Sequence, residues 1–316
     1  MRRVGHLFPQ LTAFSNLYQA WLKARQGTGW TNETARFSFY LEQELLSIQQ
    51  ELINFSYQPG QFSYFSIRDP KPRRIAVAPF KDRVVHHALV QILMPVFEPT
   101  FIYHSYATRT GKGTHKAIIQ AQQFIRQYQW YYKFDIKHFF ETVNHDVMLA
   151  LIAGKVKDKA VLLLCEKIIR NTPNDIGLPI GNLTSQFFAN VYLNPLDHFI
   201  KEQLKVKGYL RYMDDFVLFS NSKDELKQWQ QQLDELVVNK LQCQLKNKAC
   251  WLNRSNAGLS FLGMRIFSGM LRHCHANRNR SLKKLDHRIK AFEKGDISEQ
   301  QMADSIQCIW SHLHYF

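Results

Sequence analysis

The chain has 316 residues, of which 41 are lysine or arginine and 26 are aspartate or glutamate, so its formal net charge is +15. This charge indicates a polyanionic partner, and an aromatic content of 13% offers rings on which bases can stack, although a membrane-surface or simple RNA-binding protein would fit equally. No apolar run approaches a membrane-spanning length and no apolar segment follows the opening arginines, which excludes membrane-embedded and secreted classes. The five cysteines are an odd number, which predicts a cytoplasmic protein with free thiols.

The first predicted elements are helices. Apolar residues recur at helical spacing over residues 11–25, a breaker follows at 26–32, and a second helix is expected over 34–55. A third helix is expected over 116–128, where apolar residues form one stripe that is typical of packing on a core. The stripe consists of Ala117, Ile118, Ala121, Phe124, Ile125 and Tyr128.

An apolar, aromatic-rich run follows, WYYKFDI at residues 130–136, and it has β character. Beyond it the periodicity becomes helical, so Asp135 lies where a strand meets a helix. An aspartate at such a junction can simply cap the helix. It becomes a candidate metal ligand if other carboxylates lie beside it.

The most informative segment is LRYMDDFVLF at residues 210–219, in which two aspartates separate two short apolar runs. The pattern predicts a β-hairpin with Asp214 and Asp215 at its tip. Adjacent carboxylates repel and are costly to bury without a cation, and oxygen ligands suit Mg²⁺. A solvated turn would explain the pair by itself. Together with Asp135, the pair predicts a site for two Mg²⁺ ions, which can activate a 3′-hydroxyl and stabilise the leaving pyrophosphate in nucleotidyl transfer.

The C-terminal residues are predicted to form two further helices. In the first, apolar residues repeat at three- and four-residue steps, and in the second a possible capping box is formed by Ser298 and Gln301. The apolar positions are Leu282, Leu285, Ile289 and Phe292 in the first helix, and Met302, Ile306, Ile309 and Leu313 in the second.

Several blocks of the sequence, in this order, resemble reverse transcriptases over roughly residues 55–275. YMDD and the upstream FDIKHFF look like palm motifs C and A, and PKPRRIAVAPFKDRVVHHAL looks like the fingers blocks of bacterial members. GLPIGNLTSQFFANVYLNPLDHFI resembles motif B, LQCQLKNKACWL resembles motif D, and GLSFLGMRI resembles motif E. A single YMDD is weak support, whereas this ordered series is specific.

The resemblance implies a fold of the α+β class, the right-hand polymerase with fingers, an antiparallel palm sheet carrying YMDD, and a small helical thumb. It divides the chain into an N-terminal helical extension (1–55), fingers with part of the palm (56–125), a palm with motifs A to E (126–275) and a thumb (276–316). It also implies an RNA-directed DNA polymerase that uses a template RNA, a DNA or RNA primer and dNTPs.

The resemblance assigns the chemistry to particular residues. Asp135, Asp214 and Asp215 would bind the two Mg²⁺ ions. Lys248 matches the motif D lysine that would protonate the pyrophosphate as a general acid. Lys246 lies two positions away and remains an alternative for this role.

Further roles concern the incoming nucleotide. Phe140 matches the aromatic steric gate that would clash with a 2′-hydroxyl and favour dNTPs, while Phe139 is the better candidate for the core. Arg73 matches the fingers residue that contacts the triphosphate. Lys71 and Arg74 are neighbours that could share or take that role.

Motif B narrows the resemblance further. Most bacterial reverse transcriptases carry Gln-Gly and Ser-Pro there, whereas this chain has Ile180-Gly181 and Ser185-Gln186. The form IGNLTSQ, with SYATRTGKGTHKAI upstream, resembles the enzymes of diversity-generating retroelements. That group implies error-prone copying opposite template adenines and a small, basic, oligomeric accessory protein as partner. Ile180, Gly181 and Gln186 would shape the nascent pair, because an aliphatic side chain lacks the polar contacts of glutamine, but Ile180 could instead be repacked core.

Two alternatives remain open. One is a retron or phage-defence reverse transcriptase that copies a different template. The other is a catalytically idle relative that uses the fold as an RNA-binding scaffold, and the presence of all three carboxylates argues against it.

Overall fold

The computed structural model of the protein describes residues 3–29, 31–68, 72–172, 174–246 and 251–314, with only the backbone over 312–314. Two candidate residues from the sequence, Lys71 and Lys248, lie outside the described residues.

The N-terminal part is helical, and its helices are α1 (Phe8–Thr12), α2 (Phe14–Arg25), α3 (Asn32–Phe39) and α4 (Leu41–Ile53). The helix predicted over 11–25 corresponds to the end of α1 and to α2. The prediction of a single helix over 34–55 is wrong, because the backbone leaves helical geometry at Tyr40, with φ −100° and ψ 32°. The apolar spacing continues across this break, from Phe37 of α3 to Leu45 of α4, so the pattern could not reveal it.

The next segment joins a hairpin to two long helices. Strands β1 (Ser63–Arg68) and β2 (Pro72–Val77) pair antiparallel, and helices α5 (Phe80–Phe97) and α6 (Thr114–Gln127) follow. The helix predicted over 116–128 is confirmed as α6, and its buried residues are Ala117, Ile118, Ala121, Phe124 and Ile125. Tyr128 lies just past the end of α6 and is half-buried.

The central sheet has the strand order β4–β5–β3–β6, all antiparallel, and places the predicted hairpin beside the predicted strand. Its strands are β3 (Trp130–Asp135), β4 (Gly208–Tyr212), β5 (Asp215–Ser220) and β6 (Trp251–Arg254). The intervening helices are α7 (Phe139–Thr142), α8 (His145–Ala153), α9 (Lys159–Ile169), α10 (Leu183–His198) and α11 (Lys223–Asn239), and a π-helical turn, Phe199–Gln203, extends α10.

Side chains alternate across this sheet, so each face has its own core. Phe134 and Phe216 stack at 5.0 Å on one face, within the large core that includes α10 and α11. Tyr131, Val217 and Phe219 lie on the other face, in a smaller core with α6. The sheet is therefore buried on both faces, which fixes the positions of its strand ends.

A second small antiparallel sheet and a helical hairpin complete the described chain. The strands are β7 (Leu259–Phe261), β8 (Met264–Ile266) and β9 (Leu271–His273), and the helices are α12 (His275–Glu293) and α13 (Glu299–His314). The predicted capping box is confirmed, since the Ser298 N–H donates to Gln301 Oε1 (2.9 Å) and the Gln301 N–H donates to Ser298 Oγ (3.3 Å). No helix in the described ranges combines the length and apolarity needed to cross a bilayer. This arrangement confirms the α+β class predicted from the sequence.

Candidate active site

Antiparallel pairing brings the three predicted carboxylates to one end of the central sheet. Asp135, the last residue of β3, is the direct cross-strand neighbour of Asp215, the first residue of β5. Asp214 precedes it in the turn between β4 and β5. Side chains that face each other across such a pair have Cβ atoms about 5 Å apart. Residues that are far apart in the sequence therefore form one acidic corner.

The turn that carries Asp214 is strained. Met213 has a φ of 54°, in the left-handed region that non-glycine residues seldom adopt. Such conformations cost about 1–3 kcal/mol and persist only where the surrounding structure holds them, often at functional sites. The hairpin tip is therefore held by its neighbours and not by the preference of its own residues.

Two lysines contact the carboxylates. Lys133 Nζ lies 3.0 Å from Asp215 Oδ2, and Lys246 Nζ lies 3.6 Å from Asp135 Oδ2. The Lys246 N–H also donates to the backbone carbonyl of Asp135 (2.9 Å). The sequence interpretation missed Lys133, although a residue two positions before Asp135 on the same strand must share its face.

The carboxylates are electrostatically costly. The pKa of Asp214 is raised to about 6, mainly by burial and additionally by the charges of Asp135 and Asp215, while a backbone hydrogen bond and the charge of Arg73 oppose the rise. Burial also raises the pKa of Asp215, against the lowering effect of Lys133. In the folded chain the ionised acids are thus disfavoured, and a bound cation would relieve both the desolvation and the repulsion.

The residues present fit a hard divalent cation. The donor set consists of carboxylate oxygens, which Mg²⁺ prefers. Within the described part of the chain, Asp215 Oδ1 is a buried oxygen without a hydrogen-bond partner, which is an open position for a ligand. The described residues contain no preassembled group of three or more acidic, histidine or cysteine side chains that could hold a metal ion.

The structure separates the two phenylalanines after Asp135. Phe139 is only 2% exposed and packs in the large core, while Phe140 is half-buried at its edge. The two rings are 5.4 Å apart and nearly perpendicular. The Phe140 carbonyl accepts a hydrogen bond from the Leu178 N–H (2.6 Å), which ties it to the loop before α10. The gate role of Phe140 stays a prediction.

That loop contains Ile180 and Gly181, and it contacts β2. The Ala76 N–H donates to the Ile180 carbonyl (2.8 Å), and Asn182 Nδ2 donates to the Ala76 carbonyl (3.2 Å). Gly181 has a φ of 115°. The motif B loop is therefore joined to the β1–β2 hairpin by one backbone and one side-chain hydrogen bond, a contact that the sequence interpretation did not include.

Gln186 lies in the first turn of α10 and is exposed. Its Oε1 accepts a hydrogen bond from Thr108 Oγ1 (3.2 Å). The structure thus connects Gln186 to the loop before α6, while its predicted contact with the nascent pair stays a prediction.

Gly181→Ala is expected to lower the free energy of unfolding by about 1–3 kcal/mol. A Cβ at this position would lie 2.7 Å from Ile75 Cγ2 and 3.0 Å from the Ala76 carbonyl, in a backbone conformation that alanine disfavours. Thermal unfolding measures the change. Gly111→Ala is the matched control, because its φ is 71° but no atom lies within 4 Å of the added Cβ. Equal losses in both variants would contradict the predicted clash.

The two described arginines of β2 have different surroundings. The Arg74 guanidinium lies 3.8 Å above the Tyr64 ring. Arg73 immediately precedes Arg74, so its side chain points to the opposite face of the strand. The charge of Arg73 acts on Asp214. Of the two, Arg73 is on the side of the acidic corner.

Comparison with known proteins gives a consistent result. The family described as reverse transcriptase (RNA-dependent DNA polymerase) matches residues 67–266. The group II intron-encoded protein LtrA of Lactococcus lactis subsp. cremoris is 24% identical over 80% of this chain and 54% of its own length. Protein YkfC of Escherichia coli K12 is 23% identical over 71% of each chain.

Other relatives are longer still. An uncharacterized 91 kDa protein in a cob intron of Schizosaccharomyces pombe is 28% identical over 53% of this chain, which spans 22% of that relative's length.

Among solved structures, the apo telomerase of Candida tropicalis superposes with a TM-score of 0.52 at 13% identity, covering 68% of this chain and 49% of the telomerase chain. This likeness concerns the fold.

Proposed function

The chain belongs to the reverse transcriptase (RNA-dependent DNA polymerase) family, and from that premise we propose that it copies a template RNA into cDNA from a DNA or RNA primer and dNTPs. The observation that carries the proposal is the convergence of Asp135, Asp214 and Asp215 at one end of the central sheet. These side chains would hold two Mg²⁺ ions, which supply activation of the primer 3′-hydroxyl and charge neutralisation on the leaving pyrophosphate.

Other residues of the chain would position the dNTP. Arg73 would bind the triphosphate from the fingers side, since a guanidinium suits phosphate oxygens. Phe140 would lie beneath the sugar and exclude a 2′-hydroxyl. The proton for the pyrophosphate would come from motif D, from Lys248 or from Lys246, which contacts Asp135.

We further propose that copying is error-prone at template adenines and serves targeted gene diversification, as the motif B resemblance implies. The contacts of Ile180 support this. The Ile180 carbonyl accepts a hydrogen bond from the Ala76 N–H, and the aliphatic side chain has no polar group that could contact a base pair. A site without that polar contact checks the pair less strictly. In this proposal a small, basic, oligomeric accessory protein brings the template RNA.

A second candidate function is that of a group II intron reverse transcriptase. The similarity to the intron-encoded protein LtrA over 80% of this chain favours it. The two candidates differ in template and in accuracy, and not in the chemistry at the acidic corner.

Primer extension tests these proposals. The purified chain, an RNA template, a DNA primer, dNTPs and Mg²⁺ are combined with and without a candidate accessory protein, and the products are sequenced. Extension with errors concentrated opposite adenine supports the diversifying role, and Ile180→Gln is then expected to reduce those errors. Accurate extension retains the polymerase and discards that role, while no extension in either arm supports the RNA-binding scaffold.

Arg73→Ala is expected to raise the KM for dNTP at least about tenfold, because it removes a charge-assisted phosphate contact. Steady-state extension at varied dNTP concentration measures the change. Arg74→Ala is the matched control from the neighbouring position, and its loss of stacking on Tyr64 is expected to change the KM by roughly two- to threefold at most. Equal effects of the two variants would argue against a specific role for Arg73.

A further inference from the structure

Arg211 is a fully buried cation two positions before Met213. Its side chain is among the largest of the fully buried side chains of the described residues. The residue lies in β4, and its backbone is also fixed, because its N–H donates to the His104 carbonyl (2.9 Å) and its carbonyl accepts from the Tyr106 N–H (3.0 Å). Neither the carboxylates nor the proposed nucleotide contacts account for this burial.

Each guanidinium N–H of Arg211 has an acceptor. Nε and Nη2 donate to Asp197 Oδ1 (2.8 Å) and Oδ2 (2.6 Å), which is a bidentate pair. Nη2 also donates to Ser105 Oγ (3.1 Å), and Nη1 donates to Asn190 Oδ1 (3.1 Å) and to the Met213 carbonyl (3.0 Å). A guanidinium has five N–H donors in a rigid plane, so these contacts use all of them.

These partners come from three parts of the fold. Asp197 and Asn190 belong to α10, the helix that begins after the motif B loop. Ser105 lies in the loop before α6, and Met213 is the left-handed residue of the turn that carries Asp214. Because Asp197 balances its charge, Arg211 acts on the turn as a fixed hydrogen-bond donor and not as a counter-ion for Asp214.

We propose that Arg211 is a positioning residue for nucleotide addition, which holds the Met213 carbonyl and so fixes the hairpin tip with Asp214 against α10. The proposal rests on the polymerase function proposed above. A planar donor locked by Asp197 and Asn190 has one orientation, and the strained turn needs such an anchor to keep one conformation. Misplacing reacting groups by about 1 Å can cost about a hundredfold in rate.

The hydrogen bonds of Asn190 continue toward Gln186, which is predicted to contact the nascent pair. Asn190 Nδ2 donates to the Ala107 carbonyl (2.8 Å), and the next residue, Thr108, donates to Gln186. Arg211 therefore connects the turn with Asp214 to the loop that contacts Gln186. Disturbing it should affect the alignment of the reacting groups more than the affinity for dNTP.

The test is single-turnover primer extension by the full chain with Arg211→Lys, together with active-site titration. Lysine keeps the charge but lacks the planar set of donors, so it cannot bind Asp197 bidentately and reach the Met213 carbonyl. We expect the rate constant of the active molecules to fall at least about tenfold, with the affinity for dNTP changed less than about twofold. A wild-type rate constant, with only the active fraction or the melting temperature reduced, would overturn the proposal.

Tyr209→Phe is the matched control. The Tyr209 hydroxyl donates to Asp197 Oδ1 (2.6 Å), so the variant removes a buried hydrogen bond of the same cluster without touching Met213. We expect a lower melting temperature and the wild-type rate constant. An equal fall in rate constant in Tyr209→Phe and Arg211→Lys would show that general loosening of the core is sufficient, and would also overturn the proposal.

Asn190→Ala covers the case in which Arg211→Lys does not fold. It removes the second acceptor of Nη1, the nitrogen that donates to the Met213 carbonyl, and leaves the ion pair with Asp197. A several-fold lower rate constant supports the proposal, whereas a wild-type rate constant would assign Arg211 to folding alone. If the wild-type chain itself does not extend a primer, the proposed function fails, which is a different outcome from an active wild type with an unaffected Arg211→Lys.

Discussion

Asp214→Asn/Asp215→Asn is expected to lower the rate of primer extension by at least about 10³-fold and to leave the fold intact. Asparagine keeps the size of aspartate but loses the negative charge that a hard cation requires. Both residues lie at the hairpin tip beside Asp135, so the change removes most of the acidic corner. Extension on an RNA template over a range of Mg²⁺ concentrations measures the loss.

Stability separates this result from simple unfolding. Burial raises the pKa of both aspartates, so their ionised forms are less stable in the folded chain than in the unfolded one. In metal-free buffer near neutral pH, the variant is therefore expected to be no less stable than the wild type, with a gain on the order of 1 kcal/mol. A melting temperature well below that of the wild type would contradict this account of the site.

Asp224→Asn is the matched control for charge. Asp224 lies in the first turn of α11, its side chain is 85% exposed, and it follows the end of β5 opposite to Asp215. We expect its extension rate to match that of the wild type. If the variant at Asp214 and Asp215 also extended primers normally, the acidic corner would not be the site of nucleotidyl transfer.

Phe140→Ala is expected to raise the incorporation of rNTPs relative to dNTPs by roughly 10- to 100-fold. The half-buried ring stands at the edge of the core, and in the proposed function the sugar of the incoming nucleotide would lie against it. Removing the ring opens space for the 2′-hydroxyl. Competing incorporation of matched rNTP and dNTP, read from product mobility or alkaline cleavage, measures the ratio.

Phe139→Ala is the matched comparison. The Phe139 ring is 2% exposed and contacts the Tyr192 ring at 6.1 Å, so its removal leaves a cavity and is expected to cost about 3–5 kcal/mol of unfolding free energy. We expect little change in the ratio of rNTP to dNTP in the molecules that fold. A larger change of that ratio in Phe139→Ala than in Phe140→Ala would exchange the roles of the two residues.

Local patterns in the sequence were sufficient for the elements that carry the site. Alternating apolar residues around two aspartates predicted the hairpin, the aromatic run predicted β3, and helical spacing predicted α6 and the C-terminal helices. These predictions succeeded because strand and helix periodicities are properties of neighbouring residues. The ordered motifs also indicated the family and the fold, which the structure and the comparisons confirm.

Other features depend on contacts between distant segments. The break at Tyr40 leaves the apolar spacing unchanged, so only the backbone geometry reveals it. Strand alternation places Arg73 and Arg74 on opposite faces, but the packing of the hairpin decides which face is toward Asp214.

The sequence by itself determined the chemical inventory of this protein: the three carboxylates, the arginines at positions 73 and 74, the aromatic pair and the strands and helices that carry them. Only the tertiary structure decided the pairing of Asp135 with Asp215, the contacts of Lys133 and Lys246, and the burial of Arg211 beneath the turn. Periodicity fixes which face of an element is apolar. Register and buried polar partners depend on the sum of many long-range contacts, which no local pattern contains.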